Sequence, residues 1–241
     1  MGSIMKLKAI KTVRLYVKVA EQLSKLIIDG IILPGSRLPS ERELATKLNV
    51  SRPTIREAMI ALELSGIVEI RSGSGVYVLE QKPFIASEDK GTGPFEILEI
   101  RTILESEACA LAAKNISPVQ IQQLKDAIVE MEEEQKQPNN SEKADWKFHN
   151  IIAEASQNSA ISSVVNWLWE LRNQSDLSSV FAARLREDGV HPSIQDHRDI
   201  VSALESKDSE KAKEAMLNHL KNATEAASTY FNNDPFSNIK L

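Results

Sequence analysis

Residues 38–75, LPSERELATKLNVSRPTIREAMIALELSGIVEIRSGSG, constrain this chain more than any other stretch. Ser40 is placed to cap a first helix, and Glu43 to close a capping box with it. Asn49-Val50 makes a tight turn. Ser51 caps a second helix, and Pro53 is tolerated in its first turn because the N–H it lacks would be unpaired there. Ile55, Ala58, Met59 and Leu62 form one apolar stripe on that helix. Arg52 and Arg56 fall about 40° apart on a neighbouring face. Gly66 ends the helix; IVEI and VYVL read as two short strands joined by RSGSG, with Arg71 and Gly73 at the tip. The whole is a winged helix-turn-helix. Winged helices also serve as dimerisation or protein-binding modules, so the expectation of DNA rests on the paired arginines. A second helix of this kind enters the major groove, where arginine suits guanine O6 and N7.

The net charge of −5 argues against nucleic acid until the chain is divided. Residues 1–80 carry 12 Lys+Arg and 8 Asp+Glu, whereas the remainder carries 17 and 26. A basic module joined to an acidic one is expected when only the first touches phosphate. A length of 241 residues fits two domains. No apolar run approaches the ~18 residues that span a bilayer, no signal peptide is visible, and membrane association is not expected. The single Cys109 excludes an internal disulfide and fits a reducing, cytoplasmic setting.

The expected fold is mainly α: a winged helix-turn-helix over residues 1–79, a linker over 80–93, and an all-helical bundle over 94–234. An amphipathic helix at 12–30 precedes the helix-turn-helix. The linker EQKPFIASEDKGTG is polar, contains proline and glycine, and has no period. Beyond it the amphipathic segments predict six helices, at 95–114, 117–136, 141–156, 159–187, 192–206 and 208–232.

Two features of the bundle invite chemistry. Ile97, Arg101, Leu104, Ala108 and Leu111 share one helix face, so Arg101 interrupts an apolar seam and needs an anion. That anion is either Glu105, one turn on, or the carboxylate of a ligand, unless the stem snorkels out to solvent. Asp145 and His149 are four apart and share a face. His197 and His219 lie ten residues before and eleven after a break at Lys207-Asp208. An antiparallel hairpin would bring both imidazoles to one height. Three histidines and an aspartate suit zinc, nickel or another late first-row ion. The alternative is that each is simply a polar residue at a helix surface, as His191 before Pro192 is expected to be.

At this point the residues resemble a known family. The run 38–78 looks like the winged helix of the GntR transcription regulators. EIRTILESEACALAA, DWKFH and HRDIVSALESKDSEKAKEAMLNHL look like the FadR-type C-terminal domain, and the likeness spans about residues 12–232. The resemblance implies a divalent metal on Asp145, His149, His197 and His219, and a small carboxylate effector bound with the help of Arg101. It implies DNA contacts from Arg42, Ser51, Arg52, Thr54, Arg56, Ser72 and Gly73. GPFEILEIRTILES, IIAEASQNSAISSVV and RLYVKVAEQL are similar to the hexuronate-responsive branch. The expectation is a cytoplasmic homodimeric repressor, not an enzyme, binding a palindromic double-stranded operator, with a hexuronate as effector and zinc as the first choice of metal. A metal sensor, or a metal-dependent enzyme fused to a DNA module, is the alternative.

Overall fold

The computed structural model describes residues 14–71, 74–80, 91–136, 142–187 and 189–232. Helix α1, Leu15–Ile28, packs Val19, Leu23 and Ile27 inward. Helix α2, Glu41–Leu48, starts at Ser40: Glu43 N donates to Ser40 Oγ, and Ser40 N donates to Glu43 Oε2 at 2.9 Å. This is the capping box expected from the spacing. Asn49, left-handed at φ 52°, ends α2. Ser51 caps α3, Arg52–Leu64. Strands β1, Val68–Arg71, and β2, Gly75–Val78, pair antiparallel with Val68 opposite Val78 and Ile70 opposite Val76. Gly75 has φ +114°, a conformation that calls for glycine. Ser72 and Gly73, the expected wing contacts, lie outside the described residues, as does most of the expected linker.

The rest of the described chain is helical: α4 Pro94–Asn115, α5 Pro118–Glu134, α6 Lys143–Ala155, α7 Ser159–Gln174, α8 Asp176–Glu187, α9 Ile194–Glu205 and α10 Ser209–Asn232. These are seven helices where the sequence reading expects six. The expected helix at 159–187 breaks at Ser175, whose ψ of 116° is extended. Its hydroxyl accepts from Ser178 N, so Ser175 caps a new helix rather than continuing the old one. The break turns α8 back over the start of α4.

One apolar core fills the bundle between α4, α5, α6, α9 and α10, with Phe148, Leu124, Leu204 and Met216 fully buried. A second core joins α1, α3 and the wing to Phe95 of α4, to Leu177 and Phe181 of α8, and to Ala227 of α10. Helix α3 therefore shares a hydrophobic core with the helical part. At that junction Glu57 Oε1 accepts from Glu96 N at 3.1 Å, in the first turn of α4. Gly93 lies so close that a Cβ there would sit 2.0 Å from the Glu57 carboxyl carbon.

Burial, reinforced by Glu96 and Glu99, pushes the Glu57 carboxyl from 4.5 up to about 8, while the α4 N–H and Arg14 pull the other way. The sign follows from linkage: with its folded pKa raised, Glu57 is least costly below pH 4.5, and stability falls as pH climbs towards 8. Glu57→Gln keeps an acceptor for Glu96 N and cannot ionise. Urea titrations should show it within about 1 kcal/mol of the parent at pH 5 and about 4 kcal/mol more stable at pH 8. A constant difference across that range would contradict a charged-state cost at the junction.

Candidate metal centre and DNA interface

Asp145 and His149 stand one turn apart on the buried face of α6. His197 comes from the first turns of α9, and His219 from the middle of α10. The α9–α10 hairpin pivots at Lys207, left-handed at φ 52°, as the ten-and-eleven spacing requires. The His197 and His219 rings lie 4.4 Å apart between centroids, and His149 is 5.4 Å from His219. All four residues are buried, and one candidate ligand atom from each lies within 4.8 Å of the others.

The second partners of the rings fit a metal. His197 Nδ1 lies 2.7 Å from Ser193 O, leaving Nε2 facing Asp145 Oδ1 at 2.9 Å. His149 Nδ1 is 2.5 Å from Glu105 Oε2, with Nε2 3.5 Å from Asp145 Oδ1. His219 Nδ1 sits 3.6 Å from Asp196 Oδ2. In each ring Nδ1 faces an oxygen behind it, which frees the opposite nitrogen for an ion; such outer partners fix ring orientation at metal sites. His149 Nε2, 3.5 Å from Asp145, makes no well-formed hydrogen bond. A buried polar atom left in this state is costly, and coordination would satisfy it.

The charge pattern agrees at Asp145 and His219 and runs against coordination at His149. Burial would raise Asp145, but His149 and His197 hold its carboxyl well below the usual range. Burial pushes His219 down to about 4, towards the neutral form that coordinates metals, against the pull of Asp196. His149 moves up despite burial, because Glu105 and Asp145 flank it.

Arg101 is buried on the same side. Its Nε donates to Glu105 Oε1 at 2.6 Å, and its guanidinium lies 4.3 Å from the centre of the Trp169 ring. Burial would raise Glu105, yet Arg101 and His149 outweigh it and hold the carboxyl at about 2. Arg101 thus meets the anion one turn away and, through it, the back of His149. It also lines a cavity of about 280 Å³ that reaches Asp145, His219 and Asp196. His191, expected at the surface, belongs to the wall of this cavity.

On the winged helix, Arg42 and Arg52 are exposed, and Arg52 Nε pairs with Glu41 Oε1. Ser51 Oγ and Thr54 Oγ1 are 2.8 Å apart, and Ser51 also accepts from Thr54 N. Ser51 caps α3, and Thr54, inside its first turn, is buried, so of the two expected contacts only Ser51 is exposed. Arg56 departs from the outward display expected of it. Its side chain is 9% exposed, against 53% for Arg52. Nε donates to Glu41 Oε2 at 2.7 Å, and the guanidinium lies 4.7 Å from the centre of the Phe95 ring. The reason is tertiary: Glu41 of α2 and Phe95 of α4 converge on a face that the isolated helix leaves open.

Sequence reasoning missed Glu105 and Asp196 as partners of histidines. Each was visible only as an acidic residue one turn or one position from a highlighted one.

Residues 15–78 match the family described as "Bacterial regulatory proteins, gntR family", and residues 96–222 match the "FCD domain". Among curated relatives, the "Uxu operon regulator" of Haemophilus influenzae is 36% identical over 213 residues, covering 87% of this chain and 80% of that protein. The "Uxu operon transcriptional regulator" of Escherichia coli is 34% identical over 232 residues, covering 92% and 90%. The "Exu regulon transcriptional regulator" of the same organism is 36% identical over 215 residues, covering 87% and 83%.

Proposed function

The chain belongs to the GntR family of bacterial regulatory proteins and carries an FCD domain, and from that premise we propose a cytoplasmic, homodimeric repressor whose operator affinity is set by a hexuronate held at a divalent metal. Family and relatives are transcriptional regulators, not enzymes. The observation that carries the finer reading is the buried Asp145/His149/His197/His219 cluster opening on a cavity that Arg101 also lines. Three imidazoles and one carboxylate favour zinc, nickel or a similar ion over calcium or magnesium. A metal bound there supplies a Lewis-acidic pole for ligand oxygens. Arg101 offers the planar fork that suits a carboxylate. The relatives' titles name the Uxu operon and the Exu regulon, and the likeness to hexuronate-responsive regulators makes a hexuronate the ligand to test first.

Coupling to DNA follows from shared packing. Leu98, Phe181 and Leu185 line the cavity and also pack into the core that holds α3. Arg184 of α8 pairs with Glu63 of α3 at 2.6 Å. A ligand that fits the cavity in only one arrangement of this wall biases the recognition helix by its difference in affinity between the two arrangements. Two copies read a palindrome. Helices α4 and α7 leave Ile100, Ile103, Val164 and Trp167 exposed, the apolar surface on which we place the second copy.

A thermal-shift screen of sugar acids on metal-loaded protein tests this reading. D-galacturonate or D-glucuronate should raise the melting temperature with concentration, and a chelator should remove the rise. If no organic acid acts and operator affinity follows zinc or nickel alone, the protein is a metal sensor instead. At the operator, Arg52→Ala should lose about 1–3 kcal/mol of discrimination at one guanine. Fluorescence anisotropy with single-base operator variants reads this directly, and an unchanged base preference would reassign Arg52 to backbone contact.

A further inference from the structure

The cavity has a second polar element beyond the metal ligands and Arg101. Glu142 precedes α6 and lies three residues before Asp145, about 4.5 Å along the helix axis. Its carboxylate lines the same cavity. Arg172 of α7 and Arg186 of α8 converge on it: Arg172 Nη2 meets Oε2, and Arg186 Nη1 is 3.6 Å from Oε1. Arg172 also lies 5.3 Å from the centre of the Trp169 ring, the same ring that carries Arg101. One indole thus holds two arginines towards the cavity. A second cavity, lined by Trp146 and Asn173, shares Glu142, Arg172 and Ala182 with the first. The ion pair is therefore part of the partition between the two cavities. Arg172 is 22% exposed and Glu142 10%, so neither is sealed away.

We propose that Glu142 and Arg172 form a hydroxyl-reading subsite that selects polyhydroxylated acids over short carboxylates. The inference rests on the sugar-acid reading above and specifies which part of the ligand is recognised where. A carboxylate only accepts hydrogen bonds and a guanidinium only donates them, whereas a hydroxyl does both. Adjacent hydroxyls fit a side-by-side acceptor and donor, one bonding to Glu142 and the next to Arg172. The offset of one helical turn from Asp145 matches the distance from a carboxylate at the metal to hydroxyls three or four carbons along. A ligand without hydroxyls gains nothing from the pair and still strips it of water.

The test uses full-length zinc-loaded protein and three probes: D-galacturonate, L-lactate and the dicarboxylate galactarate. Calorimetric titration compares the parent with Glu142→Ala and with Arg172→Gln, and zinc content and circular dichroism check that both variants fold. Loss of hydrogen bonds to charged groups should weaken D-galacturonate by about 10–100-fold in each variant, with L-lactate changed less than about twofold. Unaltered D-galacturonate affinity in both variants overturns the subsite while leaving the sugar-acid reading intact. Galactarate that binds the parent best, and binds Glu142→Ala tighter still, also overturns it, because the arginines would then be serving a second anionic group. A parent that binds none of the three overturns the sugar-acid reading, and the subsite falls with it.

Discussion

Zinc supplied at about a thousand times its dissociation constant should stabilise the protein by about 4 kcal/mol, and His197→Ala should remove that increment. For a chain of this size the gain corresponds to a rise in melting temperature of about 10 °C. Ser193 O fixes Nδ1 of His197, and Nε2 meets Asp145, so the imidazole is aimed before any ion arrives. Asp145 is shared between His149 and His197. Removing His197 therefore deletes one ligand and frees the carboxylate that organises the others. Metal content measured after gel filtration should fall in step, and a chelator should lower the melting temperature of the parent while leaving His197→Ala unmoved. Equal zinc content and an equal thermal increment in the two proteins would show that the four side chains do not act as one site.

What could be read in the sequence was local or arithmetical. Ser40 with Glu43, and Ser51 ahead of Pro53, declare two helix starts within a few residues, and both caps form. The pairing of His197 with His219 was legible because a hairpin converts equal distances from its turn into equal heights. Lys207 supplies that turn, and the rings of His197 and His219 meet. Arg101 remained undecided between Glu105 and a ligand, and the structure gives it both a partner and a place on the cavity wall.

What escaped depends on parts of the chain that periodicity cannot connect. The fate of Arg56 is set by Glu41 and Phe95, fifteen and thirty-nine residues away and on other helices. The segment around Ser175, RNQSDLSS, is compatible with a continuous helix, and only its cap to Ser178 reveals the break. Missing that break hid the roof of the cavity, and with it Arg172, Arg186 and their shared Glu142. The sharing of Glu105 between Arg101 and His149 was equally out of reach, since α4 and α6 had no assigned register.

That sharing decides how Arg101 must be tested. Arg101→Ala should cost about 3–5 kcal/mol, because it strands the buried Glu105 carboxylate without its cation. It also removes the stack on Trp169. Lost effector response in this variant alone would therefore be ambiguous, since a loosened bundle also fails to respond. Adding Glu105→Gln resolves the ambiguity. The amide no longer needs a counter-charge, and its oxygen still faces His149 Nδ1, so most of the lost stability should return. In the restored double variant, operator binding measured by anisotropy should match the parent, while D-galacturonate should no longer release the DNA. If the double variant is stable and still releases its operator on ligand, Arg101 is a strut for Glu105 and His149, and the carboxylate is received elsewhere. If Arg101→Ala by itself leaves stability unchanged, the pairing with Glu105 contributes nothing to the fold, and the guanidinium is kept for the ligand alone.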